Sequence, residues 1–434
     1  MVILFWILMT LCEIGLAVYC FVRKKRARLE ARILCLVQAA AIALYYLLAP
    51  RSMDFQWFFS LVYMAGLVLF GGFGLVKYLR KKDEAPFKKG KVIGRALLKS
   101  FLWLFVMIPL MIFPPYREPA TSGAYKTIES KVYTWTDESR TETLDESGDK
   151  RNVTVTFYYT DEAEGKCPLV IFSHGAFGFE KSNYSSYAEL VSNGYVVCSI
   201  SHTYHAFFTE EADGTTKIVN SQFIQDAVDL SNGKMDLDAD KKYATEKEWM
   251  NVRLGDANFV LDTIIKEAAD GSDAFFQKLD LDHIGYFGHS MGGATAEAMG
   301  RQREEIDAVV VLDGTFLGEY NGVSNGKETY GDEEYPKPIL NMMSEIHGEA
   351  NVPGYVNHDV MANAKIGKNV VIKGTAHMNF TDLPLFSPAL SNMLGTGERD
   401  SRECIEIVNS SVREWFDCYL KEDGRRTPSI KSEY

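Results

Sequence analysis

Long apolar runs dominate the first part of the chain. Four of them lie at about 1–22, 33–50, 55–76 and 96–116. Each is close to the roughly 20 residues that a helix needs to cross a bilayer. Four such runs so close together leave almost no polar surface for a soluble bundle. The pattern therefore predicts a transmembrane region over residues 1–116 that contains four helices.

Basic residues flank these runs unevenly. Residues 23–32 carry six Lys or Arg and residues 77–95 carry eight, whereas the loop between the second and third runs carries only Arg51. The positive-inside rule assigns the two basic loops to the cytoplasm. We therefore expect a multi-pass protein of the cell membrane, with its N-terminus and everything after Tyr116 on the extracytoplasmic side.

From residue 117 the pattern becomes that of a water-soluble α/β protein. Alternating polar and apolar residues predict strands with one wet face, and short, wholly apolar runs predict central parallel strands. The predicted strands cover 126–136, 153–159, 168–172, 195–200, 279–287, 308–312, 338–343 and 369–373. The predicted helices cover 184–192, 246–269 and 403–421. This alternation predicts a doubly wound, mostly parallel sheet in one domain over 117–434.

Several stretches of this domain lack a regular pattern. Residues 137–151 are predicted as surface loop, and the last dozen residues as frayed. Two longer insertions lie at about 201–243 and 315–336. The first leaves the carboxyl edge of a strand, where open α/β sheets bind their ligands, so we interpret it as a lid or pocket wall.

A strand, a sharp turn and a helix are predicted around Ser290. The apolar run before it ends in Gly288-His-Ser-Met-Gly292, and small residues with helical periodicity follow at once. This is the context of a nucleophile elbow, in which glycines let strand and helix pass closely on either side of a strained serine. Ser290 is therefore the predicted nucleophile.

Acyl transfer through serine also requires a base and an acid, each at the carboxyl end of a strand. His377 is the histidine downstream of Ser290 that meets this requirement, so it is the predicted base. Two carboxylates end suitable strands. Asp313 follows the strand after the elbow helix and Glu345 follows the next one, and the residue pattern alone does not separate them.

Two backbone amides are expected to stabilise the oxyanion. One is the amide of Met291, directly after the nucleophile, and the other comes from the loop after the strand at 168–172. We assign the second donor to Ala176 in that loop. His174, Phe177 and His202 are predicted to lie around the pocket.

Charge and cysteine content bear on whether the domain binds nucleic acid or metal. Residues 117–434 hold 30 Lys or Arg against 53 Asp or Glu, so the domain has no basic signature for nucleic acid. The seven cysteines show no spacing typical of metal ligands, and no metal or other cofactor is expected. We expect Cys167 and Cys198 to be buried free thiols.

Residues from about 124 to 420 resemble the platelet-activating-factor acetylhydrolase family of α/β-hydrolases, of the secreted, lipoprotein-associated type II kind. The motifs that carry this resemblance are Phe172-Ser-His-Gly-Ala176, Leu279-Asp-Leu-Asp282 with the elbow after it, Val311-Leu-Asp-Gly314, and Lys373-Gly-Thr-Ala-His-Met-Asn-Phe-Thr-Asp382. The resemblance implies an α/β-hydrolase fold for this domain, which the four predicted transmembrane helices precede. It also implies that Asp313 is the acid, and that short or oxidised acyl chains are hydrolysed from phospholipid-like esters without calcium.

The sequence departs from that family in its four-span N-terminal half and in the content of both insertions. The expected function is that of a membrane-anchored serine esterase acting on amphiphilic esters. An acyltransferase with the same triad and a catalytically silent membrane receptor or scaffold are the alternatives. Asn379-Phe-Thr is a glycosylation sequon beside His377, where a glycan would obstruct the site, so we expect a bacterial cell surface.

Overall fold

The computed structural model describes residues 2–50, 55–81, 86–231, 238–349, 355–422 and 424–434. The chain forms two compact units. The helical unit consists of Met1–Glu118 and Pro384–Met393, and the sheet unit consists of Pro119–Leu383 and Leu394–Tyr434. The prediction assigns Pro384–Met393 to the catalytic domain, whereas the structure groups this segment with the N-terminal helices. The predicted loop containing Arg51, and parts of the second basic loop and the first insertion, lie outside the described residues.

Four long helices form most of the helical unit. They are α1 (Val2–Arg23), α2 (Arg28–Leu48), α3 (Phe58–Lys81) and α4 (Lys89–Ile112). All four are long and apolar enough to cross a membrane. Trp57 and Trp103 are buried among them, whereas large side chains such as Leu69 and Phe73 face outward. Helix α4 begins at Lys89, before the predicted residue 96. Its first turns carry Lys and Arg, so the apolar run from which the helix was predicted does not include them.

The strands of the sheet unit are numbered in chain order. They are β1 (Glu129–Thr141), β2 (Lys150–Tyr159), β3 (Cys167–Ser173), β4 (Val196–Ile200), β5 (Phe208–Glu210), β6 (Thr216–Ile218), β7 (Leu279–His289), β8 (Ile306–Leu312), β9 (Tyr320–Ser324), β10 (Lys327–Tyr330), β11 (Ile339–Ser344) and β12 (Gly367–Ile372). Eight of them form the main sheet, in the order β1-β2-β4-β3-β7-β8-β11-β12. Strand β2 is antiparallel to both of its neighbours, and the pairs from β4 to β12 are parallel.

The remaining helices connect or follow these strands. They are α5 (Tyr184–Ser192), α6 (Ser221–Ser231), α7 (Ala239–Asp270), α8 (Met291–Gln302), α9 (Asn357–Ala362), α10 (Leu383–Phe386), α11 (Pro388–Leu394) and α12 (Ser401–Phe416). One apolar core includes residues of α7 and α8 together with one set of strand side chains. A second core joins α5 and α12 to the alternate strand side chains, as expected for a sheet covered on both faces. The predicted doubly wound, mostly parallel sheet is confirmed.

Several predicted boundaries of the sheet unit differ from the structure. Strand β1 extends to Thr141, so the loop is shorter than the predicted 137–151. Because β1 is an edge strand with many polar residues, its sequence does not show a clear alternation of polar and apolar positions. Helix α7 begins at Ala239, inside the predicted insertion. The prediction of a frayed C-terminus is wrong for the final residues. The Val371 and Lys373 amides donate to the Ser432 and Tyr434 carbonyls at 2.9 and 3.0 Å.

The insertions contain secondary structure of their own. The first holds the β5–β6 hairpin, α6 and the start of α7, and the second holds the β9–β10 hairpin. All seven cysteines are free, and Cys167 and Cys198 are buried as expected. The two cysteines lie on neighbouring strands, where burial raises the pKa of the Cys198 thiol above its ordinary value.

A buried ion pair joins the sheet to α7. The Asp256 carboxylate, on α7, accepts hydrogen bonds from Arg151 Nη2 at 2.8 Å and Arg151 Nε at 3.1 Å, on β2. Arg140 Nη1 lies 3.0 Å from the same carboxylate. Burial alone would raise the pKa of Asp256, but Arg151 and the hydrogen bond from His202 hold it well below its usual range.

We expect Asp256→Asn to lower the free energy of unfolding by about 3–5 kcal/mol, because it leaves the buried Arg151 without its full counter-charge. Chemical denaturation followed by tryptophan fluorescence measures this change. Since the folded-state pKa is depressed, the stabilisation is present above about pH 4 and is lost as the pH falls further.

The matched control is Asp262→Asn. Asp262 pairs with Arg303 at 2.7 Å, but its side chain is 63% exposed. Exposed pairs contribute about 0–1 kcal/mol, so this variant should unfold almost like the wild type. Equal destabilisation by the two substitutions would contradict the role given to the Asp256 pair.

Candidate active site

Ser290 occupies the turn between β7 and α8. Its backbone has φ 57° and ψ −126°, a conformation that costs a non-glycine residue about 1–3 kcal/mol. Gly292 makes the turn sterically feasible, because a side-chain carbon there would overlap the Ser173 and His174 carbonyl oxygens. The turn holds the serine at the carboxyl edge of the sheet, where β7 ends.

Three side chains from separate strand ends form a hydrogen-bonded chain. Ser290 Oγ lies 2.9 Å from Nε2 of His377, which follows β12. Nδ1 of His377 lies 2.8 Å from Oδ2 of Asp313, which follows β8. With Nδ1–H donating to the carboxylate, Nε2 is free to accept the serine proton. The geometry is that required for general-base activation of a serine.

The Asp313 carboxylate is almost completely buried. Its Oδ1 accepts hydrogen bonds from the Ser344 amide at 2.6 Å and from Nδ1 of His347 at 2.8 Å. Burial alone would raise the pKa of Asp313, but the hydrogen bonds from His347 and His377 hold it well below its usual range. Asp313 therefore remains an anion that orients His377 throughout the physiological pH range.

Glu345, the other acid that the sequence left open, lies elsewhere. Its side chain is 46% exposed, and Oε1 is 3.8 Å from Lys373 Nζ. Oε2 accepts a hydrogen bond from the Gly374 amide at 3.0 Å. The structure thus joins Asp313, rather than Glu345, to His377. The decisive observation is the hydrogen bond between His377 Nδ1 and Asp313 Oδ2, because Glu345 follows β11, the strand next to β12, and yet does not contact His377.

The loop after β3 packs closely against the elbow. A side-chain carbon on Gly175 would lie 3.0 Å from Cβ of Ser290 and 2.9 Å from Nδ1 of His289. The Phe177 and Gly178 amides donate to the His205 and Gly175 carbonyls, both at 3.1 Å.

Two amides next to Ser290 are left available. Within the described part of the chain, the Ala176 and Met291 N–H groups have no protein acceptor. They are therefore free to bind a substrate oxygen.

Arg253, on α7, supports this loop from behind. Its fully buried guanidinium donates to the His174 carbonyl at 2.6 Å, the Gly175 carbonyl at 3.4 Å and Nδ1 of His205 at 3.2 Å. Burial lowers the pKa of Arg253 to about 9, so it is a cation at neutral pH. The motifs of the sequence do not reveal this residue. Its position on the apolar stripe of α7, beside Met250 and Ala257, is the signal that could have found it.

The structure corrects the prediction that His174 and His202 line the pocket, because neither has exposed surface. His202 lies between Ser173 Oγ at 2.8 Å and Asp256 Oδ2 at 3.1 Å, and burial lowers its pKa to about 3. His174 Nδ1 lies 2.6 Å from the Gly175 carbonyl oxygen. Both histidines are neutral interior groups that support the loop.

Phe177, the third residue predicted to lie around the pocket, is partly buried. Its ring packs 5.1 Å from that of Phe223, on α6 of the first insertion. Trp249 and Met291 belong to the same apolar cluster. Phe223, from the first insertion, thus packs against the loop after β3 through Phe177.

His289, inside the elbow, is a further residue whose role the sequence did not reveal. Its Nε2 lies 3.1 Å from the His377 carbonyl oxygen, and the two imidazole rings are 4.5 Å apart. Burial, followed by the charge of His377, lowers the pKa of His289 to about 3. The neutral ring can therefore donate to that carbonyl and hold the backbone of His377. Among the described residues, no group of three or more His, Cys, Asp or Glu could hold a metal ion.

A mostly parallel sheet with helices on both faces and a serine at the strand–helix turn defines the α/β-hydrolase class. Residues 152–425 match the model of the family described as platelet-activating factor acetylhydrolase, isoform II. This match covers more than half of the chain, and the chain belongs to that family.

Individual relatives are more distant. The platelet-activating factor acetylhydrolase of Bos taurus is 23% identical over 291 residues, which cover 59% of this chain and 57% of that protein. The one from Cavia porcellus is 24% identical over 283 residues, covering 59% and 58%. The chain thus spans less than two thirds of the length of these relatives. A ferulic acid esterase from Streptomyces cinnamoneus has the same fold, with a TM-score of 0.56 and 21% identity, covering 72% of this chain and 94% of that structure.

We expect Arg253→Met to speed amide hydrogen exchange in residues 173–178 by about tenfold or more, because it removes the charged hydrogen bonds that hold the loop. Mass spectrometry of the peptide covering the loop measures the change. Arg303→Met is the control, since Arg303 pairs with Asp262 and Glu305 instead. Unchanged exchange in the Arg253 variant would show that the loop is held by other contacts.

Proposed function

We propose that this protein is a membrane-anchored serine esterase that hydrolyses short-acyl or phospholipid-like esters. The observation that carries the proposal is the hydrogen-bonded chain from Ser290 through His377 to Asp313, which starts at a strained serine. Membership of the platelet-activating factor acetylhydrolase family supports the substrate class. Four helices of membrane-spanning length and hydropathy support the anchor.

The proposed reaction has two stages. Ser290 Oγ attacks the ester carbonyl carbon while His377 Nε2 takes its proton, and Asp313 stabilises the imidazolium that forms. The Ala176 and Met291 amides donate to the oxyanion. His377 then protonates the departing alcohol, which leaves an acyl group on Ser290. In the second stage His377 activates a water molecule, which releases the acid and restores the serine.

The surroundings of the serine favour an amphiphilic ester. Ala176, Phe177, Phe223, Trp249 and Met291 form an apolar cluster beside the two oxyanion donors, and this cluster suits an acyl chain. By the charge pattern of the basic loops, the hydrolase domain lies outside the cytoplasm. A covalent anchor would raise its local concentration at a lipid surface, where such substrates partition.

We expect Ser290→Ala to abolish both fluorophosphonate labelling and turnover of p-nitrophenyl acetate, with kcat/KM falling by about 10⁴-fold or more. The variant should remain in the membrane fraction after alkaline carbonate extraction, because the helical unit is unchanged. Ser410→Ala is the control, since this exposed serine donates to a helix carbonyl on α12. Undiminished turnover by the Ser290 variant would exclude it as the nucleophile.

The two carboxylates can be separated in the same assay. We expect Asp313→Asn to lower kcat by roughly 10³–10⁴-fold, because the amide cannot hold His377 in the required tautomer. Glu345→Gln should change kcat by less than about threefold, since Glu345 contacts Lys373 and the Gly374 amide. A larger loss in the Glu345 variant would show that the acid is assigned to the wrong strand.

A further inference from the structure

Asp313 has two histidine partners, one on each carboxylate oxygen. His377 Nδ1 lies 2.8 Å from Oδ2, and His347 Nδ1 lies 2.8 Å from Oδ1. A triad uses the first contact. The second comes from the turn after β11, and a serine esterase mechanism does not require it. The His347 side chain is 27% exposed, so solvent protons reach it, whereas the Asp313 side chain has no exposure.

The position of His347 is fixed from two sides. Its ring stacks on that of Tyr355, with centroids 4.6 Å apart and an angle of 7° between the planes. Nε2 of His358, on α9, lies 3.0 Å from the His347 carbonyl oxygen. These contacts keep Nδ1 directed at Asp313.

Few charged or titratable groups of the described chain surround His347. Those that face it are Asp313 after β8, His377 after β12, Tyr355 before α9 and His358 on α9. Glu345 is close in the chain, but its carboxylate is engaged by Lys373 and the Gly374 amide. Asp313 is therefore the anion that His347 contacts directly.

We propose that His347 is a positioning residue that acts through Asp313 and sets how the reactivity of Ser290 depends on pH. This inference rests on the proposed esterase function. In its neutral form His347 donates one hydrogen bond, which turns the carboxylate so that Oδ2 faces His377. In its protonated form it adds a positive charge beside the carboxylate that must stabilise a second cation.

The distance between the His347 and His377 rings determines how strongly protonation of His347 slows the reaction. The His347 and His377 rings are 6.5 Å apart, and His377 becomes cationic as Ser290 attacks. Two unit charges at that distance, in a protein environment of effective dielectric constant near 20, repel enough to slow the reaction by about tenfold or more. The shared carboxylate is also divided between two cations, so each receives less stabilisation.

The direction of the pH dependence follows from the contact with Asp313. Partial burial alone would lower the pKa of His347, but the hydrogen bond to Asp313 raises it above its ordinary value. Above that pKa the ring is neutral and the triad is fully reactive. Below it the cation forms and the reaction slows. Proton uptake by His347 therefore steepens the fall in kcat/KM on the acidic side.

The test measures kcat/KM for p-nitrophenyl acetate and the rate of fluorophosphonate labelling of Ser290 against pH, on the full chain in detergent. In the wild type, log kcat/KM should fall with a slope steeper than 1 over the pH interval in which His347 takes up its proton, because that second proton also slows the reaction. His347→Asn keeps a neutral donor near the Nδ1 position but cannot titrate. Its slope should be about 1, and the midpoint of its acidic limb should move to lower pH.

The matched control is His283→Asn. His283 Nδ1 also lies 2.8 Å from an aspartate oxygen, that of Asp280, but this pair is remote from Asp313 in the sheet and lies at the start of β7. Its pH profile should equal that of the wild type. A structural role for His347 alone would lower the rate at every pH without changing the slope.

Each outcome decides the inference. Equal slopes and midpoints for the wild type and His347→Asn would overturn it and leave the esterase function standing. A wild type that neither labels nor hydrolyses would overturn both. If the His347 variant does not fold, the wild-type profile decides, because a one-proton acidic limb contradicts a second titrating histidine.

Discussion

The buried negative charge of Asp313 is the constraint on which the site depends. A carboxylate removed from water is stable only when donors surround it, and here the Ser344 amide, His347 and His377 supply them. These donors come from β11, from the turn after it and from the loop after β12. The order β8-β11-β12 therefore does more than build a core, since it brings the loop of His377 close to Asp313 and places that carboxylate beyond the reach of water.

The opposite side of the elbow is supported by a second group of buried charges. Arg253 fixes the carbonyls of the oxyanion loop, and its neighbours Asp256 and Arg151 pair with each other across the space between α7 and β2. Such groups are costly to bury, yet once paired they leave little freedom to the backbone they hold. The serine thus lies between two polar supports, one for His377 and one for the Ala176 amide. In the proposed reaction the Ala176 amide is an oxyanion donor, and electrostatic stabilisation of an oxyanion requires that its donors be in place before the reaction.

The sequence predicts those parts of the site that a short pattern determines. Ser290 and His377 each lie in a local motif after an apolar strand, and the hydrophobic runs reveal the helices and the central strands. Residue patterns alone left Asp313 and Glu345 open, and the family resemblance favoured Asp313. The side-chain geometry then joins Asp313 to His377. The roles of Arg253 and His347 were not predicted from the sequence for a related reason. Each contacts partners more than 30 residues away, and no local motif beside either residue indicates the contact. The prediction ends strand β1 too early, because the polar residues at the end of this edge strand have a composition typical of a loop.

The histidines show how burial divides one residue type between two tasks. Burial lowers the pKa values of His174, His202, His205 and His289, so these rings are neutral at physiological pH and serve as fixed hydrogen-bonding groups. They lie around the oxyanion loop and the elbow, where a change of charge would disturb the geometry of the donors. His347 and His377 retain exposed surface and share a carboxylate. Solvent exposure among these six rings is thereby confined to the pair that shares Asp313, where the proposed reaction moves a proton.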